Sequence, residues 1–323
     1  MFEEMEPQSK VGLATAAAEL YYIQDWKMEA IGSKLNLSRS SVSRLLQMAR
    51  DRGIVEFHIN RADDQLRKME EQLKALYKID VRAISVPETA TGGERLDVVG
   101  TETARQLGNY FRPGISIGLA WGSTISSVSR RMYQNPVGNS TVVQLNGAGN
   151  DHSTGLSYSG EILNQFGKNL GANVVHFPVP AFFDDPAAKD AMWRERSTKR
   201  ILDIQERIDL AIFGLGRIDS EVPSQVYAAG YLEKQDLDQL NQENIVGDIA
   251  TVFFREDGSW EDIALNQRAS GPSLDQLKKT PKRVCVVSGP SKLLALKGAL
   301  AGGFITDLFV DDLTAEKLLE NAS

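Results

Sequence analysis

The sequence predicts an α/β protein in two parts, an N-terminal winged helix-turn-helix followed by a doubly wound, mostly parallel sheet. Three observations predict it. Residues 27–57, KMEAIGSKLNLSRSSVSRLLQMARDRGIVEF, read as two short helices around a tight turn with a strand behind them. From residue 81 onward, short apolar runs alternate with amphipathic helical stretches, the pattern of strands covered on both faces. Several of those runs end in glycine-rich turns that lead into helices, the place where open α/β sheets hold ligands. The expected division is a DNA-binding domain over 1–61, a linker or dimerisation helix over 62–80, and an effector-binding and oligomerisation domain over 81–323.

Each element has a local cause. Residues 11–24, VGLATAAAELYYIQ, predict an alanine-rich helix that packs under the two that follow. In the first of those, Met28, Ile31 and Leu35 share a face. Asn36 stands where the chain must turn and tolerates a left-handed backbone. Ser38 is placed to cap the next helix, in which Val42, Leu45, Leu46 and Ala49 form the buried stripe. The other face carries Arg39, Ser40, Ser41, Ser43, Arg44 and Gln47, short polar or guanidinium side chains suited to phosphate oxygens and base edges. Gly53 ends that helix, and residues 54–59 predict a wing strand. Seven Lys or Arg face three Asp or Glu across residues 27–61, a local surplus of four in a chain of net charge −7, which is the footprint phosphate contact requires. Residues 63–78 predict a charged helix whose Leu66, Met69, Leu73 and Leu76 form either a short coiled-coil seam or a face packed on its own domain.

The strands follow at 81–86, 115–120, 141–147, 173–179, 209–216, 283–289 and 305–310, with a further strand over 247–256. At 323 residues two domains are the natural expectation, and 42% hydrophobic content suffices for a core. A single cysteine, Cys285, excludes a disulfide framework, and three scattered histidines show no metal spacing, so neither a metal site nor a cofactor is expected. The acidic, polar start lacks a signal-peptide pattern and no apolar run reaches membrane-spanning length, so the expected location is the cytoplasm.

The sharpest ligand turn is Gly122-Ser123-Thr124, which follows a strand and opens a helix, offering free N–H groups, two hydroxyls and a positive helix end to a phosphate. Gly147-Ala148-Gly149 and Gly214-Leu215-Gly216 are turns of the same kind. Lys292, after Gly289 and Ser291, adds a point charge at the rim, and Asp248 is placed to accept from sugar hydroxyls or to hold a turn. Asn266 and Arg268 are polar candidates with the same ambiguity. No dinucleotide fingerprint, phosphate-loop lysine motif or nucleophile–base pairing is present, so no catalytic residue is assigned.

On NLSRSSVSRLLQMARDRGIV, GLAWGST, VVQLNGAG, DLAIFGLG, GDI at 247–249, NQR at 266–268 and SGPSKLLALKGALAGGFITDLFVDD, the chain resembles the SorC family of bacterial sugar-binding transcriptional regulators over nearly its whole length. The resemblance implies a Rossmann-like effector domain related to glucosamine-6-phosphate deaminase, a dimer or tetramer, and double-stranded operator DNA and a phosphorylated sugar as partners. Carried residue by residue, it implies that Gly122, Ser123 and Thr124 hold the effector's phosphate, that Asp248 meets its hydroxyls and that Lys292 stands near it. Departures are Ser288-Gly289 where the family often has two glycines, Phe254-Arg255 where it has Phe-Asp, and Gly32 and Asn36 where Ala and Gly are more frequent. The alternatives are a sugar-phosphate isomerase or deaminase with an added N-terminal domain, because fold does not fix function, and a DNA-binding protein without an effector.

Overall fold

The computed structural model describes residues 7–24, 26–55 and 62–321, and the chain divides into two compact units, Met1–Arg61 and Ala62–Ser323. In the first unit, helix α1 (Pro7–Ala18) runs on into a π-helical turn at Glu19–Ile23, followed by α2 (Met28–Leu35) and α3 (Arg39–Asp51). Ala14, Ala17 and Ala18 let α1 approach closely, and they close a core with Leu20, Ile31, Val42, Leu45, Leu46 and Ala49. Asn36 takes the left-handed conformation at φ 55° and its N–H returns to the Gly32 carbonyl. A Cβ on Gly32 would lie 2.7 Å from the Leu37 carbonyl oxygen, so the tight turn itself requires glycine there. Ser38 caps α3 by accepting the Ser41 N–H at 3.2 Å. Gly53, at φ 68°, follows α3 as a left-handed terminator. Most of the expected wing strand, residues 56–59, lies outside the described residues; Ile54 and Val55 before it pack on the helical core.

The second unit is built on a seven-stranded sheet, β1 (Asp80–Ile84), β2 (Ser116–Leu119), β3 (Thr141–Gln144), β4 (Asn173–Val175), β5 (Leu210–Gly214), β8 (Lys282–Val287) and β9 (Asp307–Asp311), with β6 (Ile245–Ile249) and β7 (Val252–Arg255) forming a separate hairpin. The sheet order is β1-β9-β8-β5-β2-β3-β4 and every pairing in it is parallel. Continuous burial along Leu210–Phe213, Val284–Val287 and Leu308–Val310 explains why these runs read as apolar without alternation. From β2 the chain moves outward through β3 to β4, then returns to the other side of β2 as β5. The strand order therefore reverses between β2 and β5, and a crevice opens there beyond their carboxyl ends.

One expectation is corrected and one open alternative is decided. Residues 247–256 do not form one strand: β6 and β7 are antiparallel, joined by Ala250 and Thr251 at φ 48° and 70°. That is the backbone of a two-residue hairpin turn usually built from Asn-Gly or Asp-Gly, so Ala-Thr carries no turn signature. Asp248 consequently sits before a turn and not at the head of a strand. The seam of helix α4 (Ala62–Tyr77) is also divided: Leu73 is fully buried in this unit's core with Met69 packed beside it, while Leu76 remains 48% exposed. The face thus serves its own domain first, because α4 lies against β1 and the C-terminal helix Asp312–Glu320.

Candidate functional site

Two surfaces collect the residues singled out from the sequence. On α3, Arg39, Ser40, Ser43, Arg44 and Gln47 are exposed along one face. Arg39 pairs with Glu29 of α2 at 3.0 Å, and Gln47 donates to Asp51 at 2.8 Å and accepts from Arg50 at 2.6 Å. These ties are solvent-exposed, hence weak, and can be exchanged for phosphate oxygens or base edges. Ser41 does not belong with them. It is buried, and its hydroxyl lies 2.9 Å from that of Ser38 inside the helix cap. The cap draws the first turn inward, which alternation of polar letters cannot show.

The second surface is the crevice beyond β2 and β5. It is walled by Gly122, Ser123 and Thr124 after β2, Asn146 after β3, Gly214 at the end of β5 with Leu215 and Gly216 beyond it, Asp248 and Thr251 on the hairpin, and Lys292 after β8. The chain reaches this geometry through small residues. Gly122, at φ 153°, precedes helix α6 (Ser123–Ser129), which starts at the crevice floor. A Cβ on Gly214 would lie 3.1 Å from Thr124 Cβ, and one on Gly216 would overlap the Asp248 carboxylate. Gly216 and Asp248 exchange backbone hydrogen bonds at 3.0 and 3.1 Å, which docks the hairpin on the sheet's rim.

The charges here are buried. Lys292 is 4% exposed and its Nζ donates to the Leu215 carbonyl at 2.7 Å. An ammonium has three donors, so this bond leaves two for a ligand. Burial pulls its pKa down, opposed by the Asp248 carboxylate. Asp248 is 3% exposed; Oδ2 accepts the Thr251 N–H at 3.1 Å, and Oδ1 meets no donor at hydrogen-bond geometry among the described residues, although the Tyr227 phenol stands near enough to draw on the carboxylate. Burial pushes its carboxyl up to about 6, against the pull of the Tyr227 phenol, the Thr251 amide and Lys292. Thr251 is a buried β-branched residue at positive φ, a strain of about 1–3 kcal/mol held beside the carboxylate.

The structure thus brings together five of the six effector residues read from the sequence: Gly122, Ser123, Thr124, Asp248 and Lys292. Gly147 is not in the wall. Its N–H goes to Ser270 Oγ at 2.9 Å, and a Cβ there would overlap the Val179 and Pro180 carbonyls, so the glycine serves a close backbone crossing. Its neighbour Asn146 takes the place. Asn146 is 1% exposed, its carbonyl is held by Gln144 Nε2 at 2.7 Å and Trp121 Nε1 at 3.2 Å, and its side-chain Oδ1 has no partner among the described residues. Buried polar atoms are rarely left so, and these two acceptors share one crevice. Nothing in the spacing of VVQLNGAG distinguishes Asn146 from the glycines after it. Asn266 and Arg268 are structural: Asn266 clamps both the N–H and the carbonyl of Phe253, and Arg268 holds the Phe183 carbonyl and Asp236.

Comparison with known proteins gives a consistent picture. The Sugar-bind family profile, a sugar-binding domain, matches residues 64–320. The deoxyribonucleoside regulator of Bacillus subtilis (strain 168) is 28% identical over 315 residues, covering 97% of this chain and 99% of its own length. A domain described as that of a possible sugar-binding transcriptional regulator from Arthrobacter aurescens TC1 is 47% identical, with a TM-score of 0.74 over 79% of this chain and 97% of that one. The full-length sorbitol operon regulator SorC from Klebsiella pneumoniae shares the fold, with a TM-score of 0.71 at 24% identity over 96% of this chain and 99% of that one.

Proposed function

From the premise that the chain belongs to the SorC family of sugar-binding transcriptional regulators, we propose that it binds operator DNA through α3 and that a phosphorylated sugar, seated in the β2/β5 crevice, sets its operator affinity. It is a transcriptional regulator with a sugar-binding domain; relatives bear the names deoxyribonucleoside regulator and sorbitol operon regulator. The observation that carries the effector reading is the pairing of a buried, under-coordinated Lys292 amine with two buried acceptors, Asn146 Oδ1 and Asp248 Oδ1, in one crevice. A cation and hydroxyl-accepting groups match the two ends of a sugar phosphate. Lys292 reaches back to the carbonyl after β5, and Asn146 stands over β3, two strands away, about 10 Å at the usual interstrand spacing. The Gly122-Ser123-Thr124 turn lies between them, where free N–H groups meet an anion.

We read the protein as a cytoplasmic homo-oligomer acting on paired half-sites without catalysis of its own. No helix among the described residues is long and apolar enough to cross a membrane. Thermal unfolding with matched sugars and sugar phosphates tests the effector: at 100 times its dissociation constant a true effector adds roughly 2.7 kcal/mol. The phosphorylated member of one pair is expected to raise the melting temperature and its parent sugar to leave it unchanged; equal shifts for both members would contradict the phosphate assignment.

On the DNA side, Arg44→Ala is expected to weaken operator binding by about 1–3 kcal/mol if Arg44 meets a base edge. Ser41→Ala, acting inside the cap, is expected to lower the melting temperature of the N-terminal unit more than it changes sequence preference. Fluorescence anisotropy on operator and scrambled duplexes separates the two, and an Arg44 variant with unaltered affinity for operator would remove it from the interface.

A further inference from the structure

Behind the crevice lies a second buried charge pair. Asp311, the last residue of β9, is fully buried, and Arg95, on helix α5 (Gly92–Leu107), is 4% exposed. All the acceptor capacity of Asp311 is directed. Oδ1 accepts from Arg95 Nη1 at 2.9 Å and the Thr314 N–H at 3.1 Å; Oδ2 accepts from the Thr314 hydroxyl at 2.7 Å and the Gly289 N–H at 2.7 Å. Gly289 is held at φ 93°, and its carbonyl accepts the Lys292 N–H at 3.1 Å. The turn that delivers Lys292 to the crevice is therefore hung from Asp311 at one end.

We propose that Asp311, fixed by Arg95, is a positioning residue that sets the Gly289–Lys292 turn and through it the affinity for the effector's phosphate. Capping the helix Asp312–Glu320 would need only an acceptor for Thr314, which a neutral side chain supplies. Burying two full charges is weak evidence for stability, since apolar replacements of similar volume often do as well. What the pair adds is a fixed carboxylate facing the N–H of a glycine held at positive φ. The loop that supplies Ser224 to the crevice is tied to the same helix and turn: Glu221 Oε1 accepts the Gly92 N–H at 2.8 Å, and the Glu221 N–H donates to Ser291 Oγ at 3.3 Å. Thus α5 braces two walls of the site without touching its contents.

The inference rests on the sugar-phosphate reading of the crevice, so its test has one arm that needs no ligand. In the full-length protein, Asp311→Asn removes the charge, and Gly289→Ala leaves the Arg95–Asp311 pair in place while penalising the positive φ; the nearest atoms to the added Cβ are 3.9 and 4.0 Å away, so the effect is on the turn. Amine acetylation, followed by mass spectrometry, reads the burial of Lys292. Lys189, half-buried on the helix Pro186–Arg194, serves as the internal control for general loosening. Both variants are expected to acetylate faster at Lys292 and at the wild-type rate at Lys189. In calorimetry with ribose and ribose 5-phosphate, glucose and glucose 6-phosphate, and glucitol and glucitol 6-phosphate, both are expected to lose roughly ten- to a hundredfold in affinity for the preferred phosphate, with no further loss when combined with Lys292→Ala. Unchanged Lys292 protection, parallel exposure of Lys189, or losses that add to that of Lys292→Ala would overturn the positioning role. A wild type that binds sugar and sugar phosphate equally sinks the effector reading instead, and the acetylation arm then decides positioning alone.

Discussion

The Asp248→Asn variant is expected to melt above the wild type at pH 7.5 and, in the same preparation, to bind the sugar-phosphate effector at least tenfold more weakly. The reason is the environment of the carboxylate. Its folded-state value of about 6 lies above the ordinary 3.8, because burial disfavours the charged form. A raised value means the folded state holds the proton more tightly than the unfolded state. The ionised group therefore costs nothing below the unfolded value and its full penalty above about pH 6. The difference amounts to about 3 kcal/mol at neutral pH, or roughly 5–10 °C for a domain of this size. Asparagine is nearly isosteric and can keep the bond to the Thr251 N–H, so the penalty goes while the turn stays. Binding suffers because Oδ1, which has no partner among the described residues, would no longer offer a charged acceptor to a hydroxyl. Affinity in the wild type should also fall as pH drops through about 6, more steeply than in the variant, which retains only the titration of the ligand's phosphate. Differential scanning calorimetry from pH 4 to 8 and titrations at pH 5.5 and 7.5 check both halves. A variant no more stable than wild type at pH 7.5, or one with full affinity, removes Asp248 from this role.

Lys292→Ala is expected to abolish the preference for phosphorylated over parent sugar, a loss of about 2–5 kcal/mol, while operator affinity without effector stays at the wild-type level. The amine is buried and commits one of its three donors to Leu215, so a phosphate oxygen there gains charge-assisted bonds in a water-poor crevice. The parent sugar makes no such bond and should be indifferent to the change. Lys292→Arg is not a conservative control, because a planar fork needs more room than the ammonium's position offers. Calorimetry on matched pairs, alongside anisotropy on operator DNA, gives the answer. Retained phosphate preference in the alanine variant would move the anion site elsewhere.

Both candidate surfaces are legible in part from the letters. The α3 face could be read because a helix repeats its surface every few residues, and the Asn36 turn because few residue types accept that backbone. Ser41 departs from the polar pattern because its hydroxyl turns inward to Ser38 in the cap. In the crevice, Gly122-Ser123-Thr124 and Lys292 announced themselves by residue type at strand-to-helix turns. By residue type Gly147 looks like one more ligand turn, whereas its missing side chain serves the crossing by Val179 and Pro180. Asn146 gave no signal, because a polar residue after a strand is ordinary until its partners can be counted.

By itself, then, the sequence determined local matters: the helices α2 and α3 with the turn between them, the apolar runs of the parallel sheet, and which strand-to-helix turns are rich in donors. Periodicity and turn chemistry act within a few residues and are written there. The tertiary structure alone decided that the strand order reverses between β2 and β5, which draws turns after residues 119, 144, 214 and 287 to one crevice. It alone decided that Ala250-Thr251 is a hairpin turn, that Met69 and Leu73 serve their own core, and that Asp311 holds the Lys292 turn. Burial, and the presence or absence of a hydrogen-bond partner, belong to the sum of neighbours from distant parts of the chain, and no single stretch of sequence contains that sum.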